Sequence, residues 1–180
     1  EGEGGISGLY KANRVRVSPD GNSVFVTSEV GNTLAVFKRN VDGSLQQLQL
    51  LRDNQGGVTA LSGAHGMAMD STSGTLYVAA GFENAIGVFA RDPVTLQLGF
   101  IGEARGGAAG AAGLGGIRDL AISRDDAQLL GVSAIDNTVV VFNRERSPGA
   151  GHGQLTFVQS RLAGAQRPVA IALTGALDPD

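Results

Sequence analysis

Arg14-Val15-Arg16-Val17 alternates polar and apolar side chains, the period-2 pattern of a half-buried strand. Ser18-Pro19-Asp20-Gly21-Asn22 follows with turn chemistry: Pro presets φ, Gly supplies a positive φ, and Asp caps its own backbone. Val24-Phe25-Val26-Thr27 is a second run, rich in β-branched and aromatic residues. Gly31-Asn32 predicts a tight turn into a third strand, Leu34 to Phe37. Asn40-Val41-Asp42-Gly43 turns again into a fourth, Leu45 to Leu51. Four short antiparallel strands joined by tight turns form a β-meander.

The same plan returns. Asn32-Thr33-Leu34-Ala35-Val36-Phe37 reappears as Asn84-Ala85-Ile86-Gly87-Val88-Phe89 and as Asn137-Thr138-Val139-Val140-Val141-Phe142, at spacings of 52 and 53 residues. In the second unit Met67 and Met69 replace Val15 and Val17, Leu76-Tyr77-Val78 replaces Val24-Phe25-Val26, and Leu98 to Ile101 is the outer strand. The third unit offers Leu120-Ala121-Ile122, Leu129 to Val132 and Leu155 to Val158, with an insertion over 147–153 lengthening its last turn. Val169 to Leu173 opens a fourth. Gly-rich connectors, 4–12, 56–64 and 106–116, lead into the first three units. The last of them is read as loop despite its alanines, because glycines inside a helix cost about 1 kcal/mol each.

Self-similarity at about 50 residues, built from four-stranded units, marks an all-β fold: a β-propeller of four-stranded antiparallel blades. The prediction is partial, about three blades plus one strand of a fourth, within a single domain spanning 1–180. The blades run 13–51, 65–101 and 118–158, and the fourth starts at 167–173. WD repeats are shorter, roughly 40–45 residues, and need a Trp-Asp pair; the chain has no tryptophan. A ring left open in this way exposes two blade faces. Val24, Phe25, Val36 and Phe37 are expected on one and Val169 to Leu173 on the other, covered by remaining blades or by a second copy.

Val17-Ser18-Pro19-Asp20-Gly21, Val24-Phe25-Val26, Asn32 to Phe37 and Gly43-Ser44-Leu45 resemble the blade signature of the lactonase-like seven-bladed propellers, also described as 6-phosphogluconolactonase-like or YVTN-type. The resemblance covers nearly the whole chain and rests on strand and turn residues. It implies two activities from different classes. One is a ligand- or protein-binding and scaffolding module within a larger bacterial protein, periplasmic or extracellular. The other is part of a lactonase hydrolysing a sugar-acid lactone.

Composition narrows the chemistry. The 180 residues are 42% hydrophobic and 17% charged, with 28 glycines: too apolar for a disordered chain and too turn-rich for a helical bundle. A net charge of −3 and the absence of a basic cluster argue against nucleic acid. No apolar run approaches the roughly 18 residues of a membrane helix. The chain has no cysteine, which removes thiolate chemistry and Cys-based zinc sites. No cofactor or metal is expected, since Asp20-Gly21-Asn22 and Asp125-Asp126 lack the acidic spacing of a calcium loop.

Aligning the blades places Asn13, His65, Arg118 and Arg167 just before the inner strands, where a propeller's ligands meet its channel. They form a candidate ring of donors for a small anionic or sugar-acid ligand. For hydrolysis, His65 is the candidate base and Arg118 or Arg167 the donor to a developing oxyanion, with Asp119 or Glu83 orienting the imidazole. Two repeated features read as structural. Asn32, Asn84 and Asn137 suit a turn needing positive φ. Arg39, Arg91 and Arg144, two residues after each block's Phe, are expected on the solvent edge of the third strand, blunting it against pairing.

Overall fold

In a computed structural model, residues 5–107, 111–147, 149, 151–164 and 167–172 are described. Twelve strands make three four-stranded antiparallel sheets in an open, partial propeller. The first sheet contains β1 (Ala12–Val17), β2 (Ser23–Ser28), β3 (Thr33–Arg39) and β4 (Leu45–Arg52). The second contains β5 (Ala64–Met69), β6 (Thr75–Ala80), β7 (Ala85–Arg91) and β8 (Leu98–Arg105). The third contains β9 (Ile117–Ile122), β10 (Gln128–Ser133), β11 (Thr138–Arg144) and β12 (Leu155–Leu162). Each strand pairs with its sequence neighbour, as a meander requires. The outer strands β8 and β12 extend beyond the predicted 101 and 158. The described part of the third connector is free of helix, and 108–110 lie outside the described residues.

The middle blade shows how period-2 patterning builds the stack. Met67, Met69, Leu76, Val78 and Phe89 pack on Phe25, Leu34 and Val36 of the first blade. Ala68, Tyr77, Ala79, Ile86 and Val88 face the other way, onto Leu120, Leu129, Val140 and Phe142 of the third. A blade with a neighbour on each side is therefore apolar on both faces, and the first blade carries apolar groups on its outer face as well. Phe25 and Val36 point inward and are fully buried, so they do not form the open face expected of them. Val24 and Phe37 do lie on that outer face, but Ile6 and Leu9 of the first connector cover them. The apolar groups left open there are Val15 and Val17, 67% and 51% exposed.

The repeated turns use left-handed backbone as read. Asn32, Asn84 and Asn137 have φ of 52°, 55° and 56°. The side chains also do something the sequence did not suggest. Asn32 Oδ1 accepts from the Gly63 N–H, Asn84 Oδ1 from Gly116 and Asn137 Oδ1 from Arg167, at 2.8, 2.8 and 2.5 Å. Each blade thus caps the connector leading into the next.

Two of the three repeated arginines overturn their sequence reading. Arg91 and Arg144 are 7% and 6% exposed and act as clasps between blades. Arg91 donates through Nη1 to the Ser73 carbonyl of its own blade and through Nε to Ser23 Oγ of the preceding one. Its Nη2 lies 2.9 Å from Asp20 Oδ2, an ion pair by distance whose angle falls outside hydrogen-bond geometry. Arg144 repeats the pattern, with Nη1 on the Asp126 carbonyl, Nε on the Tyr77 hydroxyl and Nη2 on Asp70 Oδ2. It also lies over the Tyr77 ring, 5.1 Å from its centroid. The 147–153 insertion closes this network, because Tyr77 donates to the Gly153 carbonyl at 2.8 Å. Arg39, in the first blade, is exposed.

Candidate functional site

The innermost strand of every blade breaks its regular pairing at one place. Between β1 and β2 the register jumps from Ala12↔Ser28 to Arg14↔Thr27, passing over Asn13. Between β5 and β6 it passes over His65 and Gly66, and between β9 and β10 over Arg118. A bulge bends a strand and re-aims the side chain it releases. The three predicted residues Asn13, His65 and Arg118 therefore share one structural feature, a break in the pairing of the innermost strand.

Arg167 stands elsewhere in the repeat. Its φ of 55° matches Lys11 (51°), Gly63 (70°) and Gly116 (62°), two residues before the bulge, and its bond to Asn137 matches those of Gly63 and Gly116 to Asn32 and Asn84. Val169 holds the place that corresponds to Asn13, His65 and Arg118. The apolar alternation of Val169 and Ile171 draws a sequence alignment to the wrong register, and the left-handed backbone resets it. No strand pairing is present over 167–172; Ile171 donates its N–H to Asp119 Oδ2 at 3.1 Å.

At the mouth, Arg118 Nη1 is 2.7 Å from Glu29 Oε1, a pair that reaches from the third blade across the second to the first. Glu29 follows β2, where the other blades have Gly81 and Ala134. That mismatch was the signal for it in the sequence. Glu29, Arg118 and Arg167 line a cleft of about 110 Å³ with Phe82 and Ile135.

His65 is 9% exposed, and its Nδ1 makes no hydrogen bond. Burial foremost, then the charges of Arg14 and Arg118, hold its pKa below the ordinary imidazole value; Glu29 and a hydrogen bond to the Arg118 backbone oppose this. These surroundings favour the neutral form of the ring. Thr27 Oγ1 bridges the neighbouring blades, 2.7 Å from the His65 carbonyl and 3.1 Å from Asn13 Oδ1. Asn13 Nδ2, like His65 Nδ1, is buried without a partner.

The acids proposed to orient His65 have other work. Asp119 sits against Gly66, where a Cβ would fall 2.3 Å from Asp119 Oδ1 and 2.6 Å from the Arg118 carbonyl. The glycine lets two inner strands approach closely. Glu83 accepts from the Ser62 N–H and lies 3.9 Å from Arg105; burial foremost, then Asp53, raises its carboxyl pKa. It lines a separate, larger cleft of about 510 Å³ whose charges are mutually satisfied, with Arg105 on Glu103 at 2.8 Å and Asp136 on the Gly115 N–H at 2.7 Å. Neither acid hydrogen-bonds His65 among the described residues; the carboxylate whose charge acts on it is Glu29. Among the same residues, no three metal-ligating side chains converge, and no helix is long and apolar enough to cross a membrane.

Three meander sheets stacked face to face, with bulged inner strands at one mouth, define a β-propeller segment. The profile described as "Lactonase, 7-bladed beta-propeller" matches residues 14–173, and the chain belongs to that family. Among solved structures it is similar to the periplasmic gluconolactonase of Pseudomonas aeruginosa, at 24% identity and a TM-score of 0.71 over 88% of this chain and 41% of that one. It is similar also to candidate 6-phosphogluconolactonases from Bacteroides uniformis (21% identity, TM-score 0.72, 92% and 44% covered) and Bacteroides fragilis (20%, 0.70, 88% and 40%). These likenesses carry the fold, and the chain spans less than half the length of each. No curated protein matches it by sequence.

Proposed function

We propose that the chain contributes three consecutive blades of a lactonase-type propeller and binds a small carboxylate or lactone at its channel mouth. The observation that carries this is the pair of buried, unpartnered polar atoms, Asn13 Nδ2 and His65 Nδ1, on adjacent bulges beside the Arg118–Glu29 pair. Buried polar atoms are nearly always satisfied, and two on one rim favour a ligand that satisfies them. Arg118 supplies the charge for an anionic group, and Glu29 fixes its orientation. The likeness to a periplasmic gluconolactonase supports the ligand class.

A second reading, lactone hydrolysis, is favoured by the neutral state of His65. A neutral imidazole accepts a proton from water as the water oxygen bonds to the lactone carbonyl carbon. The carbonyl oxygen becomes an oxyanion beside Arg118. Collapse breaks the ring C–O bond, and the proton on His65 passes to the departing alkoxide, giving the hydroxy acid.

Calorimetric titration of the chain with D-gluconate and with D-glucono-δ-lactone tests both readings. Binding that Arg118→Ala abolishes is expected, and no binding of either compound overturns the proposal. Turnover of the lactone that His65→Ala removes supports the second reading; binding without turnover sinks that reading alone.

A further inference from the structure

The turn between the second and third strands of each blade carries an exposed apolar side chain two residues before its asparagine. Val30, Phe82 and Ile135 are 49%, 63% and 72% exposed. Single exposed hydrophobics are ordinary on protein surfaces. Three at one repeat position, all on the rim of the channel mouth, form a pattern. Two of them are seated by backbone rather than left to project. A Cβ on Gly63 would stand 2.7 Å from the Phe82 ring, and one on Gly116 would stand 2.7 Å from Ile135 Cγ1. Both glycines are left-handed, with φ of 70° and 62°, so the bare backbone is built into the turn. The side chains lie over it along the rim.

Phe82 and Ile135 thereby become walls of the 110 Å³ cleft whose charged groups are Arg118, Arg167 and Glu29. At about 30 Å³ per water, that volume holds roughly three or four waters, or a carboxylate with a few carbons. The lining includes no hydroxyl and no side-chain amide. Its polar side chains are the three charged ones, so the hydroxyls of a polyhydroxylated ligand that lie against Phe82 and Ile135 would lose hydrogen bonds to water without replacement, which costs affinity. An alkyl or aryl group would instead cover Phe82 and Ile135.

Resting on the carboxylate-site reading above, we infer that the cleft selects a carboxylate or lactone bearing an alkyl or aryl group over a polyhydroxylated sugar acid. Phe82 and Ile135 are its specificity-determining residues, and Arg118 anchors either ligand.

Hexanoate and D-gluconate are both six-carbon carboxylates and differ in hydroxylation. The chain, titrated with each at the same pH and salt, is expected to bind hexanoate about tenfold tighter, the size of burying one or two methylene groups. Phe82→Ala and Ile135→Ala, both at exposed turn positions, are expected to erase that preference by weakening hexanoate about tenfold. Gluconate binding as tightly as hexanoate overturns the inference and leaves the carboxylate site standing. A preference for hexanoate that neither variant moves also overturns it, since the alkyl group then binds elsewhere. If neither compound binds, the carboxylate-site reading fails and this inference falls with it.

Discussion

The two ends of the blade stack obey different rules. At the end bearing the first-to-second-strand turns, the repeat closes on itself. Arg91 and Arg144 each clamp a carbonyl of their own turn and a carboxylate of the preceding blade, and the side chains of the Arg144–Asp70 pair are 1% and 3% exposed. At the mouth the repeat breaks. Glu29 has no acidic counterpart in the other blades, His65 and Asn13 leave polar atoms open, and Arg118 reaches across a whole blade for its partner. Repeated, paired polar groups hold the blades together, and the unrepeated ones at the other end are those on which the ligand proposal rests.

The largest effect expected of this contrast lies within the arginine series itself. Arg144→Met leaves Asp70 as a buried charge without its partner and strips the Tyr77 hydroxyl of its donor. Breaking a buried pair in this way destabilises by about 3–5 kcal/mol. Arg39→Met changes the same repeat position on an exposed side chain, and its effect is expected within about 0.5 kcal/mol. Urea midpoints of the two variants measure the difference. Equal losses would mean that the clasp contributes nothing beyond an ordinary surface arginine.

That series also marks how far the sequence can be read. The strand pattern needs only alternation and turn residues, so the blades, their order and their turns were legible, including the left-handed asparagines. Arg39, Arg91 and Arg144 look alike in sequence, and whether each is solvated depends on the blade before it. A one-dimensional repeat does not carry that information. The bulges were hidden for a similar reason. A bulge is a defect of pairing between strands, so Asn13, His65 and Arg118 could be aligned without showing that each sits on one. Arg167 was misaligned by two residues because the alternation of Val169 and Ile171 outweighed a φ angle no residue type displays. Glu29 was overlooked although its mismatch with Gly81 and Ala134 was visible, because its partner Arg118 lies 89 positions away.

An intermediate effect sharpens the comparison from the mouth side. Asn84 combines a left-handed backbone with a side-chain cap on the Gly116 N–H. Asn84→Ala loses both and is expected to cost about 2 kcal/mol, the sum of one unfavourable αL residue and one hydrogen bond. Asn84→Gly keeps the backbone and loses only the cap, so about half that cost is expected. Thermal melts of the pair separate the terms. If the glycine variant matched the wild type, the cap would be neutral and the asparagine repeat purely conformational.

The smallest effect bears most directly on chemistry. The pKa of His65 lies below its unfolded value because of burial foremost, then Arg14 and Arg118. As pH falls through the ordinary imidazole range near 6.5, the unfolded chain takes up a proton that the native site refuses. This group's contribution to stability is therefore full at pH above that range and declines toward the depressed native pKa. His65→Gln keeps a polar side chain and removes the titration, so its stability is expected to fall less than the wild type's between pH 7.5 and 5.5. Denaturant midpoints at the two pH values, compared within each protein, read the slope without depending on the cost of the substitution. Identical slopes would mean that His65 titrates as a free imidazole. The mouth would then lack a base held neutral by its surroundings, and the contrast with the clasped end would rest on Glu29 and Arg118 alone.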